Sequence, residues 1–172
     1  SKKMASDKKN TLFTSLSELI EIRKESLVEL TQDLIKIPTL NPPGENYLEI
    51  CEYLNKRLSK IGFETQIIRA KGTPGDSDEY PRWNIIGRKE GKNSGECVHF
   101  NSHTDVVEVG LGWTFDPFGG QVFEGKVYGR GACDMKGGLA ASIIAVEAFL
   151  EACPEYNGAI EISGTADEET GG

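Results

Sequence analysis

This sequence is short of positive charge. Acidic side chains outnumber basic ones, 27 against 19, for a formal charge of −8. That balance argues against nucleic acid or an anionic membrane as partner, since both call for clustered Lys and Arg. No apolar run approaches the ~20 residues of a membrane span, and the polar, Lys-rich stretch Ser1–Asn10 has no apolar segment of the kind found in signal peptides. The four cysteines, Cys51, Cys97, Cys133 and Cys153, come no closer than 20 residues in sequence. CxxC zinc knuckles and dithiol redox motifs are therefore excluded, and reduced thiols in a cytoplasmic protein are expected. Histidine is scarce too: His99 and His103 are the only two.

What is present suits an ordinary folded domain. The chain has 172 residues, 38% hydrophobic and 27% charged, enough for one real core. Residues 1–10 read as a disordered lead and 11–36 as one long helix, with Leu12, Leu16, Leu19, Leu27, Leu30 and Leu34 near helical spacing. Pro38 ends it, and Asn41-Pro42-Pro43-Gly44 is a turn. A second amphipathic helix is expected over 46–61 and an apolar one over 137–152. Strands are expected over 63–69, 83–88, 97–102 and 159–164, with short ones at 121–123 and 126–128 around Glu124-Gly125. Helices alternating with apolar strands predict an α/β fold with a mixed, mostly parallel sheet and helices on both faces.

Three clusters lie at strand ends, where open α/β sheets place their chemistry. In His103-Thr104-Asp105, the carboxylate two residues on can orient the imidazole of a metal-binding histidine; a hydrogen-bonded surface His has the same sequence. In Gly129–Gly138, glycines bracket Asp134 just before a helix. This segment fits neither GxGxxG, because the sixth position is Asp134, nor GxxxxGK[ST], because Gly137 follows Lys136. In Asp167-Glu168-Glu169, neighbouring carboxylates repel each other, unless solvent or a cation stabilises them. Together the clusters offer hard oxygen donors and an imidazole, a mixture suited to zinc. Their number suits two metals sharing a carboxylate about 3.5–4 Å apart. His99, inside its strand, reads as structural. Trp113 and Phe118 fit either a pocket mouth or a packed loop. Arg130 and Lys136 fit either a substrate carboxylate or a surface or capping role.

Ser102-His103-Thr104-Asp105, Gly129–Gly138 and Thr165–Gly172 resemble the co-catalytic zinc amidohydrolases and peptidases. That family includes acetylornithine deacetylase, succinyl-diaminopimelate desuccinylase, aminoacylase and glutamate carboxypeptidase. Ile37-Pro38-Thr39, Asn41–Gly44, Trp113 and Asp116-Pro117-Phe118 resemble further landmarks. The resemblance implies a zinc-exopeptidase-like catalytic domain of which residues 11–172 form the N-terminal part. It implies that the family's dimerisation domain, its C-terminal catalytic part and the remaining metal ligands lie outside this chain, and that the chain alone is inactive. His103, Asp134 and Glu169 would bind metal, with Asp134 bridging two zinc ions and the peptide bond after it cis. Cobalt or manganese could replace zinc. Asp105 would orient His103, and Glu168 would be the general base that takes a proton from water and returns it to the leaving amine. The substrate would be an N-acyl amino acid or small peptide, bound by residues not identifiable here, and the full-length protein a homodimer. Two other readings stay open: hydrolysis of another C–N bond, for example on an aromatic amine, and a non-catalytic binding module.

Overall fold

A computed structural model describes all residues from Ser1 to Gly172. The helical periodicity at the start gives two helices, α1 (Lys2–Ile22) and α2 (Lys24–Ile35). Arg23 separates them at φ −91°, ψ 9°. Its guanidinium bonds the Leu19 carbonyl at 3.1 Å and pairs with Glu151, holding the bend. Both helices pack on α4 (Gly137–Ala152). Residues 2–10, expected as a disordered lead, are the first turns of α1, which buries no residue. Helix α3 (Tyr47–Lys60) buries Ile50, Leu54 and Leu58 along one stripe.

The strands are β1 (Glu64–Arg69), β2 (Trp83–Glu90), β3 (Asn93–His103), β4 (Gln121–Phe123), β5 (Lys126–Tyr128) and β6 (Asn157–Thr165). Four form one mixed sheet in the order β1-β2-β6-β3, while β4 and β5 make a separate hairpin. The α/β class with a helix-flanked mixed sheet is as expected. Its detail differs in two ways. Two of the three pairings, β1 with β2 and β2 with β6, are antiparallel, and only β3 with β6 is parallel. The reason is the connection: β2 runs back from β1 after one loop, whereas only α4 and its flanks provide a crossover long enough for a parallel neighbour. The buried core also lies on one face. Ile85, Ile160 and Ile162 meet Leu30, Leu34, Leu54, Leu58, Ile143 and Ile144 there. The opposite face carries Arg88, Cys97, His99 and Glu161, largely exposed.

Burial of each large aliphatic side chain in this cluster contributes about 1.5–3 kcal/mol. Helix α3 approaches closely because the sheet leaves room for it. A Cβ at Gly164 would lie 3.1 Å from Thr104 Cγ2 and 3.2 Å from Leu54 Cδ1. The parallel pair β3–β6 ends together, with His103 beside Thr165. Both chains leave the sheet at the same point. A bridge from Leu40 to Val106 brings the Asn41 turn to that end.

Candidate metal centre

The centre is built around Asp105, whose side chain is fully buried. One of its oxygens, Oδ1, lies 3.3 Å from His103 Nδ1 and accepts the Glu168 N–H at 3.2 Å. The other, Oδ2, accepts the Glu169 N–H at 3.0 Å and the Asn41 amide at 3.2 Å. His103 Nδ1 also lies 3.0 Å from the Asp105 carbonyl oxygen. With Nδ1 turned to these acceptors, Nε2 is the edge that faces outward. There it meets Asp134 Oδ1 at 2.9 Å and Glu168 Oε2 at 3.7 Å.

Local backbone explains the convergence. His103 ends β3. Glu168–Thr170 is a single 3-10 turn, entered through Asp167 at φ 68° in the left-handed region. Asp and Asn tolerate that region better than most residues. The turn aims the N–H groups of Glu168 and Glu169 back at Asp105 and their carboxylates forward. Asp134 sits in an irregular segment before α4, at φ −126°, ψ 93°, and the peptide bond after it is cis.

Asp167 does not face the centre. It is buried and pairs with buried Arg82, whose Nε lies 3.0 Å from Oδ2. Its Oδ1 accepts the Tyr47 hydroxyl at 2.9 Å and the Asn41 amide at 3.0 Å. Burial, with Asp105 and Asp167 nearby, pushes the Tyr47 phenol far above its ordinary pKa, so it stays protonated as a donor. Arg82, Tyr47 and the Asn41 side chain therefore fix the acidic turn. Sequence reasoning singled out none of them for this; the Asn41 turn was the only hint.

Ligand atoms of His103, Glu168 and Glu169 lie within 4.8 Å of one another. An imidazole nitrogen with carboxylate oxygens is a donor set that fits zinc and its first-row neighbours. Glu169 is raised above the ordinary carboxylate range by burial first and by Asp134 second, with Glu168 and Asp105 adding to it. A cation would relieve that repulsion. Burial opposes the charged form of His103, but Asp134 and Asp105 outweigh it and raise its pKa. The compact group contains Glu168, which was expected to handle protons, whereas Asp134 reaches only the His103 edge by a direct hydrogen bond.

The remaining candidates fall elsewhere. His99 bonds Glu161 at 3.1 Å and Ser163 at 2.8 Å, four residues before His103 on β3, about 13 Å back along the strand. Trp113 donates to the Val109 carbonyl. Arg130 lies 5.4 Å over the Trp113 ring, so the pair packs a loop. Lys136, weighed as a surface or substrate contact, is completely buried and donates to the Ile37 carbonyl at 2.7 Å. Burial pulls its ammonium down to about 7.

Residues 99–172 match the model of peptidase family M20/M25/M40. Succinyl-diaminopimelate desuccinylases from strains of Cereibacter sphaeroides are 38% identical over 144 residues, 83% of this chain and 34% of theirs. The chain is related to the M20/M25/M40 peptidases. It spans about a third of the length of the curated relatives it matches. The fold is shared with the dipeptidase Dug1p of Saccharomyces cerevisiae at TM-score 0.80 and 24% identity, over 92% of this chain and 35% of that one. It is also shared with human carnosine dipeptidase 1 at TM-score 0.78 and 23% identity, again over 92% and 35%. Aminopeptidase PepT of Bacillus cereus matches at 25% identity and TM-score 0.65, over 86% of this chain and 37% of that structure. M20 metallopeptidases are metal-dependent. No helix here is long and apolar enough to cross a membrane.

Proposed function

We propose that this chain carries the metal-binding and proton-transfer residues of an M20-type hydrolase that cleaves the amide bond of an N-acyl amino acid or small peptide. One observation carries the reading. A single buried carboxylate, Asp105, faces His103 Nδ1 and takes the backbone N–H groups of both Glu168 and Glu169. An imidazole and two carboxylates are thereby brought to one point at the end of a parallel strand pair. The names of the Cereibacter relatives support an acylated amino acid as substrate.

In this reading His103, Asp134 and Glu169 would hold the metal, zinc or in its place cobalt or manganese. Divalent cations there supply the positive charge that acidifies water and polarises an amide carbonyl. Asp105 keeps the His103 ring oriented and its Nδ1 engaged, leaving Nε2 as donor atom. Glu168, exposed enough to move, takes a proton from water at its carboxylate and passes it to the leaving nitrogen. A homodimer and a cytoplasmic location complete the reading.

The test is amine release from N-succinyl and N-acetyl amino acids and dipeptides by the whole protein that contains this chain, with and without a chelator. Glu168→Gln should remove turnover and leave metal content unchanged. Turnover that survives this substitution would overturn the proton role. Loss of metal together with turnover would favour Glu168 as a ligand, the role suggested by its place in the compact three-donor group.

A further inference from the structure

Granted the metal-binding reading above, we propose that Asn41 is a positioning residue for that site. It acts as the one neutral donor set between two buried carboxylates, that of Asp105 and that of Asp167. Asn41 lies far from the acidic turn in sequence and is 1% exposed. Its side-chain amide has two N–H bonds and three acceptors within reach: Asp105 Oδ2 at 3.2 Å, Asp167 Oδ1 at 3.0 Å and Thr170 Oγ1 at 3.1 Å. Its own carbonyl oxygen accepts Arg82 Nη2 at 3.3 Å. Every polar atom of the side chain is used, as a buried amide requires.

Position and chemistry both matter here. The Asn41 backbone is fixed to the segment just after Asp105, donating to the Val106 carbonyl at 2.9 Å. Its amide therefore moves with the strand end that carries His103 and Asp105. Through Asp167 and Thr170 the same amide holds the turn that carries Glu168 and Glu169. No other side chain bonds both carboxylates: Arg82 and Tyr47 reach Asp167 alone. Without Asn41, Asp105 keeps its two backbone donors but faces a second buried carboxylate with no hydrogen between them. Like charges so placed separate or draw in water. Either change rotates Asp105, and with it the His103 ring and the two N–H groups that Asp105 holds. An aspartate at this position would add a third carboxylate, so the amide is a chemical requirement as well as a steric fit.

The experiment measures the metal rather than the reaction. Zinc affinity is determined by competition with a chromophoric chelator, and the visible spectrum of the cobalt form is recorded. The proteins are the whole protein that contains this chain, its Asn41→Ala and Asn41→Ser variants, and Leu30→Ala, a change in the hydrophobic core. Removing a group that orients ligands weakens metal binding about 10–100-fold. Asn41→Ala and Asn41→Ser should show that loss with an altered cobalt spectrum, whereas Leu30→Ala loses stability and keeps both. A folded Asn41→Ala protein with unchanged affinity and spectrum overturns the proposal. If neither Asn41 variant folds, NMR of the unsubstituted protein decides. The Asn41 side-chain amide signals should shift on adding zinc, together with the Glu168 and Glu169 backbone signals. Unmoved Asn41 signals alongside a shifted His103 overturn the proposal. An unsubstituted protein that binds neither metal overturns the metal-binding reading itself, and this positioning role with it.

Discussion

Replacing Arg82 should destabilise the fold strongly, because its partner Asp167 is buried with it. The guanidinium and the Asp167 carboxylate are 5% and 9% exposed and lie 3.0 Å apart. Arg82 Nη1 also reaches the Pro43 and Tyr80 carbonyls, each at 2.8 Å. The guanidinium occupies space that two turn glycines leave open: a Cβ on Gly44 or Gly75 would come within 2.2 or 2.6 Å of it. Removing one partner of a buried pair strands the other, at about 3–5 kcal/mol. The Asn41 and Tyr47 donors to Asp167 remain, which puts Arg82→Ala near the lower end. With a urea slope of about 2 kcal/mol per molar, the unfolding midpoint falls by roughly 1.5 M. The assay is urea unfolding followed by tryptophan fluorescence, since Trp83 adjoins the substitution. Arg82→Lys should recover only part of the loss, because one ammonium cannot serve Asp167, Pro43 and Tyr80 in the same fork geometry. In the double variant with Asp167→Asn, the two losses should add to less than their sum. A loss under about 1 kcal/mol for Arg82→Ala would refute the buried pair as the anchor of the acidic turn.

Other expectations are simpler. Leu54→Ala, in the centre of the core, should cost about 2–5 kcal/mol in the same urea assay. Gly164→Val should destabilise by about 1–3 kcal/mol, because its side chain meets Thr104, Ile85 and Leu54 at contact distance or closer. Glu161 is held down to about 2, first by His99 and then by Arg88. A carboxyl depressed in the folded state stabilises above its unfolded value and loses that contribution as pH falls toward the folded one. Glu161→Gln should therefore flatten the acid side of a stability profile between about pH 4.5 and 2, while an unchanged slope would discount the pairing.

Much of this architecture was legible because apolar periodicity is local. The helix over Gly137–Ala152 and the hairpin strands at 121–123 and 126–128 fall where spacing and turn residues put them. Residues 2–10 misled because their polarity resembles a loose tail, yet Lys and Ala propagate a helix readily once α1 packs on α4. The bend at Arg23 was hidden because a helical repeat continues through it, and the contact that holds it, Glu151, is distant in sequence. Strand direction was misjudged since alternation alone carries no polarity. At the site, His103, Asp105, Asp134, Glu168 and Glu169 stood out by residue type. What orders them did not. Arg82, Tyr47 and Asn41 act through contacts spanning 64 to 126 residues. Lys136 is a charged residue whose burial only the folded chain reveals.

The most direct test of the central claim is X-ray absorption at the zinc edge on the zinc-loaded protein. Metal binding by His103, Asp134 and Glu169 predicts a shell of nitrogen and oxygen at about 2.0–2.2 Å. It also predicts an outer imidazole signal that weakens in His103→Ala. A sulfur shell near 2.3 Å, or an imidazole signal unchanged by His103→Ala, would place the metal elsewhere and contradict this assignment.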